Sequence, residues 1–260
     1  MAVVSSLISF ASQHFPKLSS RVLASSGYTL DVARFGGSEA FSVWEESTAR
    51  RQDRAWQPIV TDAKSDRPRE DVASLYAALD FLKDRPVAVL EVGSGGGHVS
   101  EILAHRYPGF HYSGVDISLP MISIATAHYP QRDFAVGSAY DLSFADDSID
   151  VVIDGVALIH MPHWQQALRE YARVAREYVV LHGLTLADAV PTTRFAKYAY
   201  GQPAIEFVFN RAVLLAECEG LGLTLLRSYD GLDYNLASYI GIESVSQTWV
   251  LQAREAEEPG

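Results

Sequence analysis

The sequence lacks the features that mark disulfide-linked, membrane-spanning and secreted proteins. Its one cysteine, Cys218, excludes an intramolecular disulfide and any cysteine-cluster metal site. No apolar run reaches the roughly 18 residues that a membrane-spanning helix needs. Residues 1–10 have no basic residue before their short apolar stretch, so they match a signal peptide poorly. These absences favour a cytoplasmic protein without a membrane span.

Positive charge is also scarce, and it is not concentrated in one segment. The chain has 260 residues, with 21 Lys and Arg against 32 Asp and Glu, which gives a formal net charge of −11. A broadly acidic surface repels the phosphate backbone of DNA or RNA, so we do not expect a nucleic-acid partner. The one small basic group, Arg50, Arg51 and Arg54, is interpreted as a solvated helix face.

Apolar segments alternate with helix-like periodicity from residue 87 onward. Short apolar runs predict strands at 87–92, 111–115, 134–136, 149–153, 178–181, 223–228 and 246–253. Helix patterns between most of these strands predict an α/β fold, with a doubly wound, mostly parallel, seven-stranded sheet and helices on both faces. No helix pattern separates the last two strands, so the last strand is predicted to be antiparallel.

A glycine-rich turn follows the first predicted strand. It has the spacing acidic-x-Gly-x-Gly-x-Gly, formed by Glu91, Gly93, Gly95 and Gly97. Glycines let the backbone turn sharply and approach a ligand closely, and in this topology ligands lie outside the carboxyl ends of the strands. A dinucleotide fingerprint would need a third glycine where His98 stands. The carboxylate beneath the turn disfavours a pyrophosphate and suits a ligand that carries an amino group.

A second acidic residue, Asp116, ends the second predicted strand. At this place a carboxylate can hold a ribose diol through two hydrogen bonds. An acid at the end of a strand also commonly caps the helix that follows, here the helix predicted at 119–129. Both interpretations of Asp116 remain open on the residues alone.

Residues 86–185 resemble a Rossmann-like, class I S-adenosylmethionine-dependent methyltransferase. The resemblance rests on the motif at 91–97, on Asp116, and on two later motifs at 137–150 and 151–160. It implies the cofactor S-adenosylmethionine and a small-molecule methyl acceptor as partner. A monomer and a homodimer are both compatible with it.

The resemblance also implies positions for the cofactor. The turn of Gly93, Ser94, Gly95 and Gly97 would surround its methionine part, and Asp116 would bind the ribose hydroxyls. The remaining implied cofactor-binding residues are Ser138 and Ala139 beside the adenine, Asp154 and Gly155 near the methionine or the methyl group, and Glu91, Ile117 and Tyr140. Members of the family often have an acid where this chain has Ser138.

Methyl transfer needs a nucleophile held near the methyl group, and only a weakly acidic nucleophile needs a general base. His160, after the fourth strand, and His182, after the fifth, are the candidate bases on the expected rim. A packing or cofactor-pocket role is the alternative for His160. His160 and His163 lack a matching carboxylate pattern, so no metal site is predicted there.

These inferences give one leading function and two alternatives. The leading one is methylation of a small molecule, specifically O-methylation of a sugar, a glycan intermediate or a secondary metabolite. The alternatives are a non-catalytic binding or scaffold protein with the methyltransferase fold, and an NAD-dependent oxidoreductase. His98 and the antiparallel last strand speak against the oxidoreductase.

The residue pattern and the resemblance together give a domain organisation. Residues 1–70 are predicted to be an extension of short helices and loops that caps the substrate. Residues 71–254 would form the methyltransferase domain, with a lid-like insertion of no clear period at 187–210. Residues 255–260 are predicted to be a disordered tail.

Overall fold

The fold is built on one large sheet whose central strands are buried on both sides. The computed structural model describes residues 27–32, 44, 46–199 and 202–253. The strands are β1 (Tyr28–Thr29), β2 (Val87–Val92), β3 (Phe110–Asp116), β4 (Asp133–Val136), β5 (Ile149–Gly155), β6 (Ala175–Ala187), β7 (Thr193–Ala199), β8 (Gln202–Asn210), β9 (Thr224–Asp230) and β10 (Val245–Gln252). The helices are α1 (Glu46–Lys64), α2 (Glu70–Leu79), α3 (His98–Arg106), α4 (Leu119–His128), α5 (Trp164–Val174), α6 (Arg211–Gly220) and α7 (Ala237–Ile240).

The main part of the sheet has the order β4-β3-β2-β5-β6-β10-β9. Strands β2 to β6 pair in parallel, while β10 is antiparallel to both β6 and β9. The predicted mostly parallel sheet with an antiparallel last strand is therefore confirmed. The strand count differs, because β1, β7 and β8 extend the sheet to ten strands.

Side chains of the central strands alternate between two hydrophobic clusters. Val89 and Ile153 join the cluster beneath α2 and α3, whereas Leu90 and Val152 join the cluster beneath α5 and α6. Because both faces are covered, these strands are nearly continuous apolar runs. Among the described residues, no helix is both long and apolar enough to cross a membrane.

The segment 187–210 is a β-hairpin and not an insertion without period. Strands β7 and β8 pair antiparallel, β1 adds to β7, and β8 continues the sheet from the end of β6. Charges inside both strands interrupt the apolar alternation that would predict them. These charges, Lys197 and Glu206, pair with each other at 2.5 Å, while Phe195 and Val208 are fully buried. Tyr200, one of the aromatic residues of this segment, lies outside the described residues.

Residues 46–64 form one helix of 19 residues and not several short helices joined by loops. Its Ala49, Val60 and Ala63 side chains are buried, and the helix contacts α3 and α4. Arg54 is exposed and Arg51 is half-buried. The rest of the predicted extension, residues 1–26 and 33–43 together with residue 45, lies outside the described residues, as does the predicted tail at 255–260.

Leu181→Ala is expected to lower the free energy of unfolding by about 3 kcal/mol, because it removes buried methyl groups and leaves a cavity. Leu181 is completely buried in β6. Leu226→Ala in β9 is the matched control, since Leu226 is 45% exposed and should change stability by only about 0.5 kcal/mol. Urea denaturation measures both. Equal effects at the two positions would contradict the placement of β6 in the core.

Candidate functional site

A cavity of about 670 Å³ opens at the carboxyl ends of the parallel strands. The turns after β2, β3, β4 and β5 form one side of it. Helix α1 contributes Gln52 and Trp56, and the β7–β8 hairpin contributes Lys197 and Glu206. This volume lies within the roughly 300–1,000 Å³ that is common for small-molecule sites.

The glycine turn after β2 lies against the end of β3. The backbone N–H groups of Gly93 and Ser94 both donate to the carbonyl of Val115, at 2.7 and 3.1 Å. Gly93 has a φ of +78°, and a Cβ there would clash with the Cβ of Ala157. A side chain would therefore break both the turn and its contact with the segment after β5. Gly93 and Gly95 present their backbone to the cavity.

Asp116 connects this turn to the start of α4. Its Oδ2 accepts the N–H of Gly95 at 2.9 Å, and its Oδ1 accepts the N–H of Ser118 at 2.8 Å. Burial raises the pKa of Asp116 above its ordinary value. The side-chain cap of α4 is Ser118, whose Oγ accepts the N–H of Met121. Each carboxylate oxygen of Asp116 can still accept a further hydrogen bond from a ligand in the cavity.

The structure divides the predicted cofactor-binding residues into two groups. The residues that line the cavity are Gly93, Gly95, Asp116, Ile117, Ser138, Ala139, Tyr140 and Gly155. The residues that are buried behind it are Glu91, Ser94, Gly97 and Asp154. The second group supports the first, since Ser94 and Gly97 belong to the glycine turn and Asp154 accepts N–H groups of the segment after β5.

The two buried acids bond to different parts of the fold: Glu91 to the neighbouring strand β3, and Asp154 to the segment after β5. Glu91 is 1% exposed and accepts a hydrogen bond from the Tyr112 hydroxyl. Burial raises the pKa of Glu91 to about 8 and that of Asp154 to about 7. Asp154 accepts the N–H groups of Ala157 and Leu158, at 3.1 and 2.9 Å. Neither carboxyl lines the cavity, so the expected effect of the Glu91 charge on a ligand is not supported by its position.

The two candidate bases lie in different environments. His160 lines the cavity, and its Nδ1 lies 2.9 Å from the carbonyl of Ile205. Burial lowers the pKa of His160, although the Glu206 carboxylate opposes this. His182 is 2% exposed, and its Nδ1 lies 2.9 Å from Thr248 Oγ1. Burial lowers the pKa of His182 to about 4.

The expected position of His182 on the rim is wrong, and the reason is the length of β6. The strand continues to Ala187, well past the predicted end at residue 181. His182 is therefore inside the sheet and is not among the described residues that line the cavity. Only His160 of the two candidates can contact a ligand there.

Sequence reasoning missed a polar cluster on the far side of the cavity. Glu206 is 2% exposed; its Oε1 pairs with Lys197 at 2.5 Å and its Oε2 accepts the Tyr234 hydroxyl at 3.0 Å. Burial raises the pKa of Glu206, but Lys197 and the other neighbours outweigh this, so the pKa lies below its usual range. His160 Nε2 lies 3.8 Å from Glu206 Oε1. In the sequence, Lys197 and Glu206 are one charge of each sign within two otherwise apolar segments. Only the structure shows that these segments are neighbouring strands.

Comparison with known proteins gives one family and several relatives. Residues 90–181 match the family model described as "Methyltransferase domain". The chain is 32% identical over 111 residues to the malonyl-acyl-carrier-protein O-methyltransferase of Methylococcus capsulatus, covering 42% of this chain and 40% of that protein. It is 33% identical over 130 residues to the ubiquinone/menaquinone biosynthesis C-methyltransferase of Bradyrhizobium diazoefficiens, covering 47% and 46%. The matches therefore span less than half the length of these relatives.

A solved structure shares the fold. The magnesium protoporphyrin IX methyltransferase of Synechocystis PCC 6803, crystallised with bound SAH, superposes with a TM-score of 0.55. The match covers 79% of this chain and 94% of that one, at 17% identity. At this identity, the likeness concerns the fold alone.

Glu91→Gln is expected to reduce the pH dependence of stability. The pKa of Glu91 is about 8 in the folded chain and 4.5 ordinarily, so the folded state holds an extra proton between these values. The wild type therefore loses stability as pH rises from about 5 to about 8, on the order of 1 kcal/mol per pH unit. The variant removes that contribution, which urea titrations across this range measure.

Glu219→Gln is the control for this experiment, because Glu219 is exposed on α6. Its stability should follow that of the wild type at every pH. If Glu91→Gln also runs parallel to the wild type, the Glu91 carboxyl ionises in the folded chain and the interpretation fails.

The sheet order, the glycine turn at its carboxyl edge and the matching family model describe the same segment of the chain. The relatives found by sequence are methyltransferases. Strand β10 is antiparallel to its neighbours, as the resemblance implied. Residues 90–181 thus match a methyltransferase domain, in agreement with the resemblance to class I S-adenosylmethionine-dependent methyltransferases.

Proposed function

We propose that this chain is an S-adenosylmethionine-dependent methyltransferase that methylates a small molecule. The observation that carries the proposal is the arrangement of one cavity. Its one side has the glycine turn and Asp116, and its other side has His160 and the Glu206 cluster. A cofactor and an acceptor bound at these two sides would meet inside the cavity.

The residues on the first side fit the cofactor. The backbone of Gly93 and Gly95 allows close approach of its methionine part, and Asp116 retains acceptor capacity for the ribose hydroxyls. Ser138 and Ala139 line the wall where the adenine would lie, and Ile117 is an exposed apolar side chain beside it. The cofactor supplies a methyl group that is activated on a sulfonium, so the chain has mainly to position the acceptor.

The second side of the cavity suits an acceptor that carries a hydroxyl group. The carbonyl of Ile205 can only accept a hydrogen bond, so His160 Nδ1 carries the proton and Nε2 is the basic nitrogen. Because the pKa of His160 is lowered, the ring is neutral at pH 7. It can then take the proton of a hydroxyl as the methyl group is transferred.

O-methylation of a sugar, a glycan intermediate or a secondary metabolite is the finer form of the proposal. Lys197, Glu206 and Tyr234 offer donors and acceptors to hydroxyl groups, and Trp44 and Trp56 offer flat apolar walls. The relatives named above are, by their names, a malonyl-acyl-carrier-protein O-methyltransferase and a C-methyltransferase of ubiquinone/menaquinone biosynthesis, which supports an acceptor of the small-molecule or lipid type. The net charge of −11 supports the exclusion of nucleic acid.

The segments predicted to cap the substrate both contribute side chains to the cavity. Helix α1 belongs to the predicted substrate cap, and its Gln52, Trp56 and Ile59 side chains line the cavity. The hairpin within the predicted lid contributes Lys197 and Glu206. We propose that both segments contact the acceptor.

Asp116→Asn is expected to weaken binding of S-adenosylhomocysteine by about 10- to 100-fold, the loss typical of a hydrogen bond to a charged group. Calorimetric titration into the wild type and the variant measures this. Asp133→Asn is the matched control, because Asp133 is exposed at the start of β4, and it should bind like the wild type. No binding to folded wild type would contradict the proposed cofactor site.

His160→Gln is expected to lower kcat by about 100-fold, the usual contribution of a positioned base, while S-adenosylhomocysteine binding is unchanged. A panel of hydroxylated acceptors with labelled cofactor provides the assay. The exposed His111 gives the control variant, His111→Gln.

The pH profile distinguishes a base from a packing residue. Since the pKa of His160 lies below 6.5, wild-type kcat/KM should be constant at neutral pH and fall only below that value as the ring gains a proton. This fall should disappear in His160→Gln. An unchanged kcat in the variant would contradict the role of His160 as a base and would mean that this residue only lines the cavity.

A further inference from the structure

Two histidines and one aspartate converge on the outer side of the glycine turn, where they do not line the cavity. Asp53 comes from α1, His98 begins α3 and His128 ends α4. Asp53 Oδ1 lies 3.0 Å from His98 Nε2 and 3.3 Å from His128 Nδ1. All three ligating atoms lie within 4.8 Å of one another. Three elements that are distant in sequence thus direct three potential metal ligands at one point.

We propose that Asp53, His98 and His128 bind one zinc ion. A tetrahedral zinc ion with ligands at about 2.0–2.2 Å places neighbouring ligand atoms about 3.3–3.5 Å apart. The two measured separations from Asp53 Oδ1 are close to this spacing. Three protein ligands leave the fourth position for water.

The surroundings of the cluster fix the ligands in these directions. Gln57 Nε2 donates to Asp53 Oδ1 at 3.2 Å, one turn further along α1. The His98 ring stacks on Trp56 with centroids 5.8 Å apart, and Tyr129 contacts both histidine rings edge-on. Ordered partners of this kind orient metal ligands and strengthen binding.

Burial and exposure differ among the ligands in a way that suits metal entry. The side chain of His98 is 4% exposed and that of His128 is 39% exposed. The exposed His128 provides the path from solvent.

The chemistry of the donors selects the metal class. Two imidazole nitrogens and one carboxylate oxygen suit zinc and the neighbouring divalent transition metals. Calcium needs six to eight oxygen ligands, and magnesium needs a near-octahedral set of oxygens. Among the described residues, this cluster does not provide such a set.

The position of the site gives the ion a structural role. An ion there would join α1 to the start of α3, directly after the glycine turn, and to the end of α4. Gln52 and Trp56, on either side of Asp53 in the helix, line the cavity. Zinc would therefore hold the predicted substrate cap against the cofactor-binding core.

The test is calorimetric titration of zinc chloride into chelator-treated wild-type protein. We expect one equivalent to bind, and Asp53→Asn and His128→Gln each to weaken the affinity by at least about 10-fold. Cobalt(II) in place of zinc should give the visible spectrum of a tetrahedral site. Zinc at about 100 times its Kd should raise the Tm of the wild type by about 5–10 °C.

His105→Gln is the matched control, since His105 is exposed on α3 outside the cluster, and it should bind zinc like the wild type. Circular dichroism of each variant checks that it is folded. Equal zinc affinity in the wild type and in the folded double variant Asp53→Asn/His128→Gln would overturn the site. Absence of binding by the wild type would show that the three groups form hydrogen bonds only. Neither result depends on methyl transfer.

Discussion

The pairing of the carboxyl ends of β2 and β3 is the constraint on which the site depends. It places the carbonyl of Val115 where it accepts two N–H groups of the glycine turn, and it places Asp116 where it accepts a third. The turn therefore has little freedom once the strands are aligned, because its donors are held by the neighbouring strand. The cavity wall, the start of α3 and the start of α4 all follow from this one register.

Buried charge in this protein is handled in two ways, and the difference marks the two sides of the cavity. Glu91 and Asp154 are buried near the carboxyl ends of β2 and β5, where no basic side chain among the described residues pairs with them, and burial raises the pKa of both. Glu206 is equally buried but has Lys197 beside it, and its pKa is lowered. The acids behind the glycine turn therefore have raised pKa values and gain a proton readily. On the other side of the cavity, Glu206 keeps its charge and forms an ion pair with Lys197.

Local patterns predicted the central strands, the glycine turn and Asp116, because those features are determined within a few residues of sequence. Long-range features were harder to predict. His182 was placed on the rim because no local signal shows that β6 continues to Ala187. The hairpin was missed because Lys197 and Glu206 hide its alternation, and they satisfy each other only across two strands. The cluster of Asp53, His98 and His128 comes from three helices, so spacing along the chain cannot reveal it.

Pro58 lies inside α1 and interrupts the backbone hydrogen bonds of that helix. Proline has no N–H, so it cannot donate to the carbonyl of Arg54, and the hydrogen-bond ladder is interrupted there. The residues before it include Gln52 and Trp56 at the cavity, while Val60 and Ala63 after it are buried in the core. Both parts of the helix are anchored, since Ala49 before the break and Val60 after it are buried. Helices bend most easily at such a break, so the turn that carries Gln52 and Trp56 can change its angle to the cavity while both ends stay packed.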